Sequence, residues 1–246
     1  MKTIILAAGY GTRLYPLTKN KAKALLSVGN RTLIDFTVEK ILEILPQDNI
    51  IIVVSNSRFY ADFLRWKEAY SEKAKIAILD DGSTNVEDRR GAVGDIYFAV
   101  EKESIKEDIL VMGSDNIFDW RLDGFLEFAH AKSTPTVGLY DLEDYDKARR
   151  FGVAEIDTEN KIVSFLEKPQ NPPSTLISVC LYYFPQDSLS LIEEYLKKEN
   201  SRDAAGSYIK WLSEKTKVYG YVFKGKWLDI GHKDSLEKAK SIFATD

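Results

Sequence analysis

Gly9, Gly11, Arg13 and Lys23 are the residues whose types and spacing point most directly to chemistry, and that chemistry is the handling of phosphate. They lie in and just after Leu6-Ala7-Ala8-Gly9-Tyr10-Gly11-Thr12-Arg13-Leu14-Tyr15-Pro16-Leu17-Thr18, at the end of the apolar run Thr3–Ala8. Glycine can take backbone angles closed to other residues and lets a ligand approach the main chain closely. Successive free N–H groups in such a loop form an anion nest. Arg13 adds a planar fork of donors suited to phosphate oxygens. The stretch therefore reads as a polyphosphate cradle. Two commoner glycine loops do not fit. A dinucleotide fingerprint needs a third glycine opening a helix, and Leu14 stands there; a P-loop needs Gly-Lys-Ser/Thr after four free positions, and none follows.

Other polar residues carry weaker signals when taken singly. Asp115, in Val111-Met112-Gly113-Ser114-Asp115-Asn116, and Asp229, in Trp227-Leu228-Asp229-Ile230-Gly231, end apolar segments, where a carboxylate is most often a turn former. Glu167-Lys168-Pro169 reads in isolation as a solvated strand end. Asp80-Asp81-Gly82-Ser83-Thr84-Asn85 and the following Arg89–Asp95 read as a long polar loop before a helix. His232 reads as a helix-start residue, His130 as structural, and Cys180 as a small residue packed in the core.

The elements that must position these residues alternate in type through the first half. Thr3–Ala8, Ile50–Ser55, Lys75–Leu79, Ile109–Met112 and Thr136–Tyr140 read as strands. Leu33–Leu45 (ended by Pro46), Phe59–Tyr70, Gly91–Glu101 and Leu122–Ala131 read as helices between them. Such alternation implies βαβ crossovers and a mostly parallel sheet, with ligands beyond the carboxyl ends of the strands. From Phe151 the pattern changes. Phe151–Ile156 and Ile162–Leu166 read as a hairpin, Ser174–Phe184 and Val218–Phe223 as strands, and Leu189–Lys197, Tyr208–Leu212 and Ser235–Phe243 as helices. The fold class expected is α/β: a Rossmann-like, mostly parallel or mixed sheet flanked by helices, with a small lobe over the substrate.

Composition sets the bounds. The 246 residues, 44% hydrophobic and 29% charged, suit one globular domain, or one with a small appendage. With a net charge of −4, a phosphate ligand must be held by local cations, and a nucleic-acid partner is not expected. No apolar run approaches the ~20 residues of a membrane span. The start of the chain lacks the apolar core and cleavage site of a signal peptide. A single cysteine excludes an internal disulfide. Together these favour the cytoplasm.

The glycine loop, continued through Lys23-Ala24-Leu25-Leu26, resembles the signature of the sugar-phosphate nucleotidylyltransferases, the nucleoside-diphosphate-sugar pyrophosphorylases, and within them the glucose-1-phosphate thymidylyltransferase-like proteins. Ser114-Asp115-Asn116, Phe151-Gly152-Val153, Glu167-Lys168-Pro169 and the Asp229 segment match later motifs of the family. Ala22, Ser27 and Thr32 stand where the family usually has proline, and Val179-Cys180 where it often has Thr-Gly.

The resemblance implies the nucleotide-diphospho-sugar transferase fold. It also implies one nucleotidyltransferase domain over residues 1–246, with a nucleotide-binding half 1–140 and a sugar-binding half 141–246. The reaction implied is transfer of a nucleotidyl group from a nucleoside triphosphate to a sugar 1-phosphate, releasing pyrophosphate. Arg13 and Lys23 would be catalytic, meeting the departing phosphates and the α-phosphate. Leu6, Ala7, Ala8, Gly9, Gly11, Thr12, Asp81 and Gly91 would bind the nucleotide, with Thr84 and Asn85 near the base. Gly152, Glu167 and Lys168 would bind the sugar phosphate. Asp115 and Asp229 would hold Mg²⁺, a hard ion suited to oxygen ligands, bridging the two reacting phosphates. Ala7-Ala8 inclines the base toward a pyrimidine, dTTP or UTP, and glucose 1-phosphate is the expected acceptor. Alternatives are a CTP-dependent transferase acting on phosphocholine or inositol phosphate, and an inactive regulatory homologue. Homo-oligomerisation is compatible with the chain. Cys180 bears on sugar specificity, because that strand borders the sugar site in the family.

Overall fold

The structure is a computed structural model, and it describes residues 1–45, 49–198 and 204–243. In chain order its first elements are β1 (Lys2–Leu6), β2 (Ser27–Val28), β3 (Arg31–Thr32), α1 (Leu33–Leu42), β4 (Ile50–Ser55), α2 (Tyr60–Lys67) and β5 (Lys75–Asp80). There follow α3 (Ala92–Lys102), β6 (Ile109–Gly113), β7 (Asn116–Phe118), α4 (Asp123–Lys132), β8 (Thr136–Asp141), α5 (Tyr145–Ala148), β9 (Gly152–Ile156) and β10 (Ile162–Glu167). The last are β11 (Leu176–Phe184), α6 (Ser190–Lys198), α7 (Ala205–Lys215), β12 (Tyr219–Phe223), β13 (Trp227–Asp229) and α8 (Lys233–Phe243). The result is a mixed parallel and antiparallel sheet flanked by helices. Among the described residues no helix is long and apolar enough to cross a membrane.

The chain divides into two compact units that do not follow chain order. One holds Lys2–Arg90, Met112–Arg121 and Gly225–Asp246; the other holds Met1, Gly91–Val111 and Leu122–Lys224.

In the first unit, β1, β4 and β5 run parallel, with Thr3 opposite Ile51 and Ile51 opposite Ile76. Ile51, Ile52, Val53 and Val54 are all buried, as a continuous β-branched run covered on both faces should be. α1 buries Ile34, Val38 and Ile41 at helical spacing and ends at Leu42. The stop expected at Pro46 lies outside the described residues. The helix expected over Phe59–Tyr70 tightens after Lys67 into a 3-10 turn, Glu68–Tyr70, and Asp35 accepts from Trp66 Nε1 and Tyr70 Oη at 2.8 Å each. A second small sheet pairs β7 with β13 antiparallel, placing Asp229 opposite Asn116. Leu14, Leu26, Val28, Leu33, Phe36, Ile117, Ile230, Leu236 and Ala239 form one apolar cluster in this unit. That cluster anchors the segments bearing Arg13, Asp115 and Asp229 from beneath.

In the second unit the parallel expectation gives way. β9 and β10 form the antiparallel hairpin, with Gly152 opposite Glu167. β11 runs antiparallel to both β9 and β8, and β12 lies parallel to β8. α7 is longer than its apolar core, Tyr208–Leu212, suggests. Its Tyr208 and Trp211 rings stack, with Tyr195 of α6 at 5.1 Å and 5.5 Å from them.

Candidate active site

The glycine loop leaves β1 under tight control. Ala7 N donates to Val54 O at 2.9 Å, and buried Asn56 donates through Nδ2 to Ala8 O at 2.8 Å while its Oδ1 accepts from Phe59 N. Asn56 is a positioning residue that sequence reasoning missed; its signal was a polar side chain closing a buried β-branched run. The two glycines then differ. Gly11 sits at φ 61°, ψ 33°, in the left-handed region. A Cβ there would stand 3.1 Å from both Lys23 Cβ and Thr18 Cγ2. Its carbonyl accepts from Leu14 N at 2.9 Å and Thr18 Oγ1 at 2.7 Å, closing the turn that holds Thr12 and Arg13 at the surface. Gly9 is exposed, is not among the glycines at positive φ, and its Cβ would meet nothing within 4 Å. Neither packing nor backbone geometry demands glycine at position 9.

The cations and carboxylates gather beside this loop. Lys23, with 15% of its side chain exposed, places Nζ 2.6 Å from Asp115 Oδ2. Asp115 Oδ1 accepts from Asn116 Nδ2 at 2.9 Å, and Asp115 O accepts from Ile230 N at 2.9 Å. Asn116, opposite Asp229 in the ladder, accepts in turn from Trp227 Nε1 at 2.9 Å. A Cβ on Gly231 would lie 2.7 Å from Asp229 Oδ2 and 3.8 Å from Arg13 Nη1, so these two opposite charges share one corner. Among the described residues no group of three or more His, Cys, Asp or Glu forms a metal cage. Asp115 adjoins Asn116, the ladder partner of Asp229, and so sparse a set of hard oxygens suits an ion that takes one or two protein ligands and fills its shell from phosphate and water, as Mg²⁺ does.

Two of the departures from proline are explained locally. Ala22 has φ −58°, the angle proline would impose, so the backbone keeps its course. Thr32 uses the N–H that proline lacks, donating to Asp35 Oδ2 at 2.5 Å in the first turn of α1. His232 starts α8 as expected: Ser235 N donates to its Nδ1 at 3.3 Å.

Asp81 lies buried, and its carboxylate accepts from Ser83 N and Ser83 Oγ at 2.7 Å each. Tyr10, the residue between the two glycines, donates through Oη to Ser83 Oγ at 3.3 Å. Burial pushes the Tyr10 hydroxyl above its usual range, so it stays a neutral donor. Tyr10 and Ser83 thus tie the glycine loop to the loop after β5. Thr84 and Asn85 are turned inward on their own loop, where both backbone N–H groups and Thr84 Oγ1 donate to Asp88. Those backbone N–H bonds hold the Asp88 carboxyl below its usual range.

The second unit contains the remaining candidates. Gly91, at φ 78°, caps α3. Gly152 is buried, and the space over it is filled from within: a Cβ there would come 2.7 Å from Phe165 Cζ and 3.1 Å from Glu167 Oε2. Glu167 keeps 23% of its side chain exposed, and Lys168 Nζ stands 3.4 Å from its Oε1. Lys168 has φ 47°, a left-handed angle at a residue preceding proline, and its N–H donates to Phe151 O at 3.0 Å. Such strain persists only where surroundings over-determine it, and it concentrates at functional sites. Cys180 corrects its expectation. It is half-buried, not core, and sits at φ 54° where the β8–β11 register shifts between Ser178 and Tyr182. His130 meets the Tyr183 ring edge-on at 5.3 Å, a packing role.

The glycine loop at a strand exit, the cations set beside carboxylates and the mixed sheet agree with what the comparisons find. The Nucleotidyl transferase family pattern matches residues 2–245, and the chain belongs to that family. Among its relatives, the bifunctional protein GlmU of Methanocaldococcus jannaschii is 30% identical over 98% of this chain and 54% of its own length. A Sulfolobus acidocaldarius protein provisionally named a mannose-1-phosphate guanyltransferase is 30% identical over 94% of this chain and 60% of its own. The chain thus spans little more than half the length of these curated relatives. A Bacillus anthracis protein, provisionally named a glucose-1-phosphate thymidylyltransferase and crystallised with sucrose, superposes with a TM-score of 0.85 at 26% identity. That match covers 100% of this chain and 96% of that one.

Proposed function

We propose that this chain transfers a nucleotidyl group from a pyrimidine nucleoside triphosphate, dTTP or UTP, to a sugar 1-phosphate of the glucose type, releasing pyrophosphate. The observation that carries the reading is the Lys23–Asp115 pair at 2.6 Å, next to Asn116, the ladder partner of Asp229. Both reactants are anions, and two unit charges 4 Å apart repel by about 4 kcal/mol at an effective dielectric of 20. Catalysis is then mostly charge neutralisation and alignment. Arg13 receives the β- and γ-phosphates. Lys23 has three donors, so one can stay on Asp115 while another meets the α-phosphate. The acceptor phosphate has a second pKa near ~6 and is largely dianionic at neutral pH, so no general base is required. Its oxygen bonds to the α-phosphorus, the bond from that phosphorus to the bridging oxygen breaks, and pyrophosphate leaves with the electron pair. Lys168 holds the acceptor phosphate and Glu167 accepts from sugar hydroxyls. Asp115 and Asp229 would hold Mg²⁺, which when bound supplies Lewis-acid neutralisation of the phosphate oxygens.

The test is pyrophosphate release over a grid of nucleoside triphosphates and phosphate acceptors, with and without Mg²⁺. Metal-dependent release, fastest with dTTP or UTP and glucose 1-phosphate, is expected. Fastest release with CTP and phosphocholine or inositol phosphate would overturn the acceptor assignment, and no release on any pair would overturn the enzyme reading.

A further inference from the structure

Glu167 reaches its place through two positions that lack a Cβ, one on each side. Gly152 is its partner across the β9–β10 ladder, and a Cβ there would stand 3.1 Å from Glu167 Oε2. The other is Gly206, in the first turn of α7, with no motif to draw attention to it. A Cβ on Gly206 would overlap Glu167 Oε2 outright, with Glu167 Cδ at 3.1 Å and Phe165 Cε1 at 3.0 Å. The carboxylate is thus seated against the bare backbone of α7. α7 has no acidic residue in its first turn, and its cap residue, Ala204, offers no side-chain oxygen. A carboxylate is favoured where helix N–H groups lack partners.

We propose that Gly206 is a positioning residue: it holds the Glu167 carboxylate where an acceptor's hydroxyls can be met, so α7 helps set acceptor affinity. This rests on the sugar-phosphate reading of Glu167. The atom a new methyl group would strike is the far end of a flexible side chain. Gly206→Ala should therefore move Glu167 while costing the fold little, with the Phe165 ring giving by a few tenths of an ångström.

The experiment measures KM for acceptor and for triphosphate, with Tm, in the unchanged protein, Gly206→Ala, Glu167→Ala and the double variant. We expect Gly206→Ala to raise acceptor KM by about ten-fold, as a misplaced binding group does. Triphosphate KM should stay within about two-fold and Tm nearly constant. In the Glu167→Ala background the glycine change should add nothing, because no carboxylate remains to displace. An unchanged acceptor KM, an additive effect in the double variant, or a loss of Tm with both KM values rising together would overturn the proposal while leaving the functional reading intact. No turnover by the unchanged protein with any sugar 1-phosphate would bring down that reading and this one with it.

Discussion

At the scale of single residues, Gly9 and Gly11 separate two uses of glycine only two positions apart. Gly11 serves the fold, through a left-handed backbone and Cβ-free contact with Lys23 and Thr18. Gly11→Ala should cost about 1 kcal/mol or more, seen as a lower Tm. Gly9→Ala should leave Tm unchanged, because its methyl group would project into open space. It should nevertheless raise the KM for triphosphate several-fold if the phosphates lie against that main chain; unchanged kinetics would mean they do not. Asp115 permits a sharper reading. Asp115→Asn removes the negative charge facing Lys23, and turnover should fall by about two orders of magnitude or more while the far-UV spectrum stays the same. Near-normal turnover in that variant would place the metal elsewhere.

At the scale of elements, the long periodic segments were legible and the short ones were not. Ile50–Ser55 matched to the residue because six residues rich in Ile and Val are too short for a buried helix and favour a strand. β7 and β13, three residues each, carry no periodicity, yet their pairing brings Asp229 opposite Asn116. Ile117 of β7, and Leu228 of β13 at its edge, pack on a cluster drawn largely from the first forty residues and α8. The candidate site residues could be named from their motifs, whereas Asn56, Tyr10, Ser83 and Gly206 could not, because their contacts join separate segments. The loop after β5 also makes a prediction of its own. Asp88 has its carboxyl pulled below the unfolded value of 3.8, chiefly by the N–H groups of Asn85 and Thr84. A lowered folded pKa contributes order that is present above the unfolded pKa and lost as pH falls through the folded value. Amide exchange at Thr84 and Asn85, corrected for its intrinsic pH dependence, should therefore stay protected above about pH 4 and lose protection below it. Protection unchanged down to pH 2 would contradict that account.

At the scale of the whole molecule, the two units divide the proposed labour. One unit contains Gly9, Gly11, Arg13, Lys23, Asp115 and Asp229; the other contains Gly152, Glu167 and Lys168. The last segment, from Gly225, belongs to the unit of Lys2–Arg90, so Asp229 shares a unit with the loop near the start of the sequence. With a net charge of −4, the two proposed anionic substrates would have to be held by a few local cations. The most direct measurement follows the α-phosphorus itself, with α-labelled and γ-labelled dTTP or UTP offered in parallel beside glucose 1-phosphate and Mg²⁺. The account predicts the α-label in a nucleoside diphosphate sugar and the γ-label in pyrophosphate, in equal amounts. An α-label recovered only as free nucleotide, or a γ-label released as inorganic phosphate, would contradict it.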